Sequence, residues 1–318
     1  MNVLLIVFGL ALVLAGAHFL TEGSASVAKK FGVSEFVIGL TIVAVGTSMP
    51  EFVVSSAAAV QGCSDMAIGN VVGSNILNVF LILGLCAVIA PLPFTRSNIR
   101  FDIPLAIIAS LMFFVTALDT LFGWGEINCI GRIEGAVMFL CYVGVIIWSV
   151  RSSKDQAEQE EQTAPKMKMW VALLAIAGGL TGLIIGSRLF VDGASAVARA
   201  LGVSDALIAI TLVACGTSLP ELASGIVSVA KGQTGMALGN VLGSNLFNIL
   251  FILGGCSVIT PLTLGDIDII DISMVVLAAV LPFVFAFTFK GRKLDRIEGA
   301  AMVAIYIGYV VWLISKVL

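Results

Sequence analysis

Charge is what this 318-residue chain has least of: 17 Lys and Arg and 20 Asp and Glu make up 12% of it. Soluble domains carry roughly 25%. With 59% hydrophobic residues and a mean hydropathy of +1.10, too little polar surface remains to cover a globule of this size, so lipid is the solvent for most of the chain. The formal net charge of −3 gives no electrostatic reason to expect a nucleic-acid partner. There is a single histidine, His18. Without a second histidine or an HExxH motif, an intramembrane enzyme lacks its ingredients. Cys63, Cys86, Cys129, Cys141, Cys215 and Cys256 lie in apolar stretches without metal-ligand or redox spacing, and are expected to be small core residues.

Long hydrophobic runs are abundant instead. The first, MNVLLIVFGLALVLAGAHFL, has the length of a membrane span and no basic leader of the kind a signal peptide carries, so it reads as a retained first helix. Apolar windows predict ten spans, near 2–21, 34–61, 65–92, 102–120, 133–150, 169–189, 204–230, 235–260, 270–289 and 297–316. One long polar stretch separates them, RSSKDQAEQEEQTAPKMK at Arg151 to Lys168, whose composition is that of a flexible linker.

Residues 33–92 lie on 203–262 at a constant shift of 170 without a gap, and 29 of the 60 pairs are identical. The likeness extends outward: Glu22-Gly23 matches Asp192-Gly193, and RIEGA at Arg132 recurs at Arg296. The chain is therefore an internal duplication, with residues 1–150 and 169–318 as its halves. Five spans per half is an odd number, so the second half must enter the membrane from the opposite side, as in many secondary transporters. The expected fold is an all-α polytopic membrane protein of ten transmembrane helices in two inverted-topology five-helix repeats. Thirteen basic residues fall on the linker side and four (Arg132, Arg188, Arg199 and Lys316) on the other. That bias predicts a cytoplasmic linker and both termini outside.

Within the second and seventh spans the motif GTSMPE (Gly46–Glu51) recurs as GTSLPE (Gly216–Glu221). A proline inside a helix removes a hydrogen bond and clashes with the carbonyl four residues back. Pro50 and Pro220 should therefore free carbonyls around Val45 to Thr47 and Cys215 to Thr217. Bare carbonyls at membrane depth need protein, water or an ion. Where the helix persists, Thr47 shares a face with Glu51, and Thr217 with Glu221. Carbonyls, hydroxyls and a carboxylate form a hard-oxygen set that suits Na⁺ or Ca²⁺ rather than zinc or copper. The bland alternative is a packing kink with the glutamates at an interface, but both sit mid-span, where a charge is costly.

The following spans carry Asn70, Ser74 and Asn78, and Asn240, Ser244 and Asn248, each set at four-residue spacing along one face. Asn75 and Asn245 lie beside them. Gly69, Gly73, Gly239 and Gly243 supply small surfaces for close helix approach; amide glue between helices is the competing reading. Two inverted halves would bring Glu51 and Glu221 together near the midplane, where two carboxylates match one Ca²⁺, or alternatively Na⁺ or protons.

GTSMPE/GTSLPE followed by GNVVGSNILN/GNVLGSNLFN resembles the two α-repeats of the sodium/calcium exchanger family, within the calcium:cation antiporter superfamily. The resemblance covers essentially the whole chain, and the short linker is similar to that of prokaryotic members. It implies a secondary antiporter of the cytoplasmic membrane, exchanging Na⁺ for Ca²⁺ by alternating access. It implies no cofactor beyond the transported ions, no nucleic-acid partner and no obligatory protein partner. By the same resemblance Glu51 and Glu221 would be the shared central ligands, completed by carbonyls and hydroxyls of Thr47 and Thr217. Ser48, Ser218, Ser74 and Ser244, with the carbonyls of Ala44 and Ala214, would form flanking Na⁺ sites, and Asn78 and Asn248 would contact the middle site. Potassium-dependent members carry aspartate where this chain has Asn248. Proton-coupled members typically show a glutamate shortly after the GN, where GNVVGSN and GNVLGSN have none. Ca²⁺/H⁺ exchange, K⁺-dependent exchange and a cation channel are the competing functions.

Four weaker features remain. His18 reads as incidental. Glu22 and Asp192 would follow the first and sixth spans, either at the sliding helices or as interface anchors. Asp266, Asp268 and Asp271 would form a solvated outer loop or attract cations. RIEGA reads as a helix start with Glu134 and Glu298 in the first turn.

Overall fold

The computed structural model describes residues 2–157, 167–201, 214–288 and 291–317. Half of the linker (residues 158–166, with Lys166), residues 202–213 at the start of the seventh span, and Lys290 lie outside the described residues. The chain is helical nearly throughout. The helices are α1 (Asn2–Phe31), α2 (Glu35–Thr47), α3 (Met49–Val60), α4 (Ser64–Ile89), α5 (Asn98–Ala117) and α6 (Arg132–Ala157). The second half supplies α7 (Met169–Ala200), α8 (Ala214–Thr217), α9 (Leu219–Ala230), α10 (Thr234–Ile259), α11 (Ile269–Phe285) and α12 (Arg296–Val317).

Seven of these are long and apolar enough to cross a membrane, and α2 with α3 form one broken span bent by 49°. The remaining two of the ten predicted spans are α11 and the seventh, described from α8 through α9. Two short antiparallel strand pairs tie loops together: β1 (Leu92–Pro93) with β4 (Lys293–Leu294), and β2 (Cys129–Ile130) with β3 (Leu262–Thr263). The span count puts both members of the first pair on the linker side and both members of the second on the side of the termini. A miscount by one span would have separated them.

The longest contact runs between α1 and α7, which lie antiparallel along a seam of glycines. Gly9, Gly16 and Gly23 repeat every seven residues, and Gly179, Gly186 and Gly193 repeat likewise at the shift of 170. A Cβ at Gly16 would lie 2.7 Å from the Gly179 carbonyl oxygen, and one at Gly179 would lie 2.7 Å from that of Gly16. Backbones this close gain dispersion contact where no hydrophobic drive exists between helices in lipid.

Both helices also outlast their apolar windows by about ten residues, which corrects two sequence readings. Glu22 and Asp192 lie inside α1 and α7 rather than after them. Glu22 pairs with Lys231 at 2.8 Å and with His18 at 3.2 Å, so His18 is not without a partner. Similarly, α6 runs seven residues into the expected linker. The cysteine expectation holds for Cys86 and Cys256, which are buried; Cys63 and Cys141 are exposed and Cys129 and Cys215 half-buried. Cys63 follows α3 in a tight turn and Cys141 faces outward from α6, so neither had a core to join.

RIEGA does start helices α6 and α12. Glu134 accepts from the Gly131 N–H, and Glu298 from the Asp295 N–H at 2.8 Å. Each motif also reaches the other half. Arg132 donates to the Ile259 carbonyl at the end of α10 (3.3 Å), and Arg296 to the Ile89 carbonyl at the end of α4 (3.4 Å). A cation there satisfies a carbonyl that the helix end leaves unpaired.

Candidate cation-binding site

The helix breaks fall at Ser48 (φ −83°, ψ 10°) and Ser218 (φ −91°, ψ 7°). Pro50 and Pro220 stand in the first turns of the restarted helices α3 and α9, where a missing N–H costs nothing. Glu51 and Glu221 follow at once, so each carboxylate sits at the positive end of a helix dipole. The break also corrects the shared-face expectation for Thr47 and Glu51. Thr47 closes α2 and its hydroxyl lies between Asn240 Oδ1 (3.2 Å) and the Ala44 carbonyl (3.3 Å).

The two halves interlock through these breaks. Ser48 donates to Glu221 Oε1 at 2.8 Å, and Ser218 donates to Glu51 Oε1 at 3.0 Å. Ser74 donates to the same Glu51 oxygen at 3.5 Å and lies 3.3 Å from the Ser218 hydroxyl. Each carboxylate is thus held by the serine of the opposite repeat, and both glutamates are only 1% exposed.

Asn70 and Asn240 do not point at the carboxylates. Asn70 donates to the Glu51 carbonyl (3.3 Å) and to Ser55 (2.9 Å), and Asn240 donates to Ser224 (2.9 Å). These buried serines were missed in the sequence because Ser55 and Ser224 do not correspond at the shift of 170. One is four residues after its glutamate and the other three, so a search by repeat passes over both. Asn78 donates to Asn245 Oδ1 at 3.1 Å, and Asn245 donates to the Asn75 carbonyl at 3.3 Å, closing the contact between α4 and α10. In both helices the backbone widens to π-helical turns here, over Asn78–Leu83 and Phe247–Leu253, as helices often do at functional sites.

Among the described residues, several buried oxygens find no hydrogen-bond partner: Glu51 Oε2, Glu221 Oε2, Asn78 Oδ1, Asn248 Oδ1 and Ser244 Oγ. Buried polar atoms are nearly always paired. The two leftover carboxylate oxygens, with the hydroxyls of Ser48, Ser74 and Ser218 beside the glutamates, are hard-oxygen donors of the kind that suits Na⁺ or Ca²⁺. The structure thus brings Thr47, Ser48, Glu51, Ser74, Thr217, Ser218 and Glu221 into direct or one-step contact, the half-buried Thr217 reaching Glu51. The side chains of Ser244 and Asn248 make no hydrogen bond to them among the described residues, and the side chain of Ala214 lies outside the described residues.

Inverted helical halves with paired, membrane-buried carboxylates at facing helix breaks define a secondary transporter, not an enzyme. Over residues 1–151 and 171–315 the chain matches the sodium/calcium exchanger protein family, and it belongs to that family, as a cation exchanger. It is 36% identical to the putative antiporter CaxA of Alkalimonas amylolytica, over 98% of each chain. It is 30% identical to the sodium/calcium exchanger MaX1 of Methanosarcina acetivorans, over 98% of this chain and 97% of that one. The sodium-calcium exchanger NCX_Mj, soaked with Na⁺ and Ca²⁺, superposes with a TM-score of 0.83 at 32% identity, covering 98% of this chain and 97% of its own.

Proposed function

We propose that this protein exchanges Na⁺ for Ca²⁺ by alternating access, with Glu51 and Glu221 as ligands shared by the two ions. The observation that carries the reading is the reciprocal clasp: one oxygen of each carboxylate is fixed by the other half's serine, and its second oxygen finds no hydrogen-bond partner among the described residues. Two carboxylates balance one Ca²⁺. Emptied, the same pair is two like charges in a low dielectric, which resists switching until an ion arrives. Thr47 and Thr217 complete the calcium position. Ser48, Ser218, Ser74, Ser244 and the carbonyls of Ala44 and Ala214 serve Na⁺, with Asn78 and Asn248 at the middle. Residues 1–150 and 169–318 are the two functional halves, joined by a cytoplasmic linker in a prokaryotic cytoplasmic membrane. The relatives named as sodium/calcium exchangers support the reading. Uptake of ⁴⁵Ca²⁺ into proteoliposomes, with Na⁺ and pH gradients imposed singly, tests it. Uptake on an outward Na⁺ gradient is expected; uptake that follows pH and ignores Na⁺ would assign Ca²⁺/H⁺ exchange instead.

A further inference from the structure

Near its linker-side end, α1 reaches across to the linker-side end of α9. Lys231, which caps α9, donates to Glu22 Oε1 at 2.8 Å and to the His18 carbonyl at 3.5 Å. Three residues before Lys231, the buried hydroxyls of Ser228 and Thr21 meet at 3.3 Å. The His18 ring lies 3.2 Å from Glu22 but on the same helix, so that contact does not cross between helices. An ion pair and a hydroxyl pair therefore tie α1 to α9, the helix that carries Glu221 in its first turn.

The inverted repeat should place the same links between α7 and α3 on the side of the termini, and the sequence denies them. At the shift of 170, Glu22 corresponds to Asp192, but Lys231 corresponds to Gln61. Thr21 corresponds to Val191 and Ser228 to Ala58. α3 thus offers Asp192 no cation, and the hydroxyl pair has neither member. Of the four basic residues on that side, Arg188 and Arg199 belong to α7 itself, Arg132 serves the Ile259 carbonyl, and Lys316 serves Asp268. Residues 202–213 contain no Lys or Arg, so they supply no cation either.

Alternating access rocks one body against another. α1 and α7 touch backbone to backbone along their glycines and so move together, whereas the glutamates ride on α3 and α9. Building on the exchange reading, we propose that Glu22–Lys231, with Thr21–Ser228 beneath it, is a latch that holds the linker side shut. It biases the resting protein toward the conformation open to the side of the termini. Leaving that conformation separates both pairs, and returning to it breaks nothing equivalent. The paired side chains are 26% and 22% exposed, and a pair in that setting shifts an equilibrium about two- to fivefold. The latch therefore sets a preference between the two faces without preventing transport.

Ser228 is 2% exposed, so a thiol in its place reports opening of the linker side without any transport. The full chain carrying Ser228→Cys is treated in everted vesicles with a cationic and, separately, an anionic methanethiosulfonate. Modification at position 228 is followed by mass spectrometry. Adding Lys231→Gln, which installs the residue of the other half, should raise both rates about two- to fivefold, and adding Glu22→Gln should do the same. The exchanged pair Glu22→Lys/Lys231→Glu should return both rates to the starting value. A rise with one reagent alone is a local charge effect, and unchanged rates make the pair a static contact; either overturns the latch. With Ser228 intact, Lys231→Gln should lower half-saturating Ca²⁺ about two- to fivefold on the linker side and change it less on the other. Apparent affinity follows the population of the face that binds. A rise on both faces overturns the proposal. Absence of Na⁺-driven uptake by the unaltered protein would instead refute the exchange reading, while the labelling rates still decide whether the latch exists.

Discussion

At the scale of residues, the clasp makes unequal demands on its members. Glu51→Gln and Glu221→Gln should each reduce Na⁺-dependent calcium uptake more than about a hundredfold, since unbalancing a buried charge costs roughly 3–5 kcal/mol. The fold should survive, because a glutamine amide oxygen still accepts from Ser218 or Ser48. Size-exclusion profiles of purified variants beside their uptake rates check both halves of this expectation; wild-type uptake by either variant would remove the carboxylates from the site. The glutamates were legible in the sequence, because a carboxylate beside proline in two matching apolar runs has few purposes. Their serine partners were legible only as members of a ligand set. That Ser48 serves Glu221 and Ser218 serves Glu51 depends on how the halves face each other, which no spacing within one half encodes. Ser55 and Ser224 were missed because each half solves the same problem, anchoring an asparagine, from a different turn of its helix.

At the scale of elements, glycine decides how near two helices come. A Cβ at Gly239 would overlap the carbonyl oxygen of Phe36, and one at Gly243 that of Leu40. Gly239→Ala should therefore destabilise the protein by about 1–3 kcal/mol through overpacking. Thermal unfolding in detergent, followed by the fluorescence of a thiol-reactive dye, checks this; a midpoint equal to that of the unaltered protein would contradict the close approach. The sequence showed small residues here, and only the contacts say which helix they admit. The glycine seam of α1 and α7 went unread for a related reason: a seven-residue period across apolar helices carries no polar contrast to draw notice. The ends of those helices were misplaced because Glu22 and Lys29 resemble the exit of a span, when they ride on helix that continues against α9.

At the scale of the whole molecule, the ten-span inverted duplication was legible because identity at a constant shift is independent of hydropathy. The strand pairs β1–β4 and β2–β3 fit that alternation, since each joins loops from opposite halves on one face. With the thirteen-to-four division of basic residues, the expected sidedness is a cytoplasmic linker and external termini. A C-terminal fusion to a reporter active only outside the cytoplasm should be active; activity of a cytoplasm-only reporter would reverse the assignment. The same duplication bears on which ions the cage admits. Asn78 and Asn248 occupy matching places, and both are neutral, so with the proposed ligands the formal charge of the cage would come from two glutamates alone. Two negative charges are balanced by one Ca²⁺, and a potassium ion bound beside it would leave an excess positive charge in a low-dielectric site. Calcium uptake should therefore run on a Na⁺ gradient equally well in choline and in potassium medium. Proteoliposomes loaded with Na⁺ and diluted into each medium decide the matter, and uptake that requires K⁺ would show that the Asn248 amide oxygen holds a cation despite its lack of charge. Asn248→Asp carries the argument one step further. Adding a third carboxylate should either make transport potassium-stimulated or, where no second cation follows, slow exchange by trapping Ca²⁺ in an over-neutralising cage.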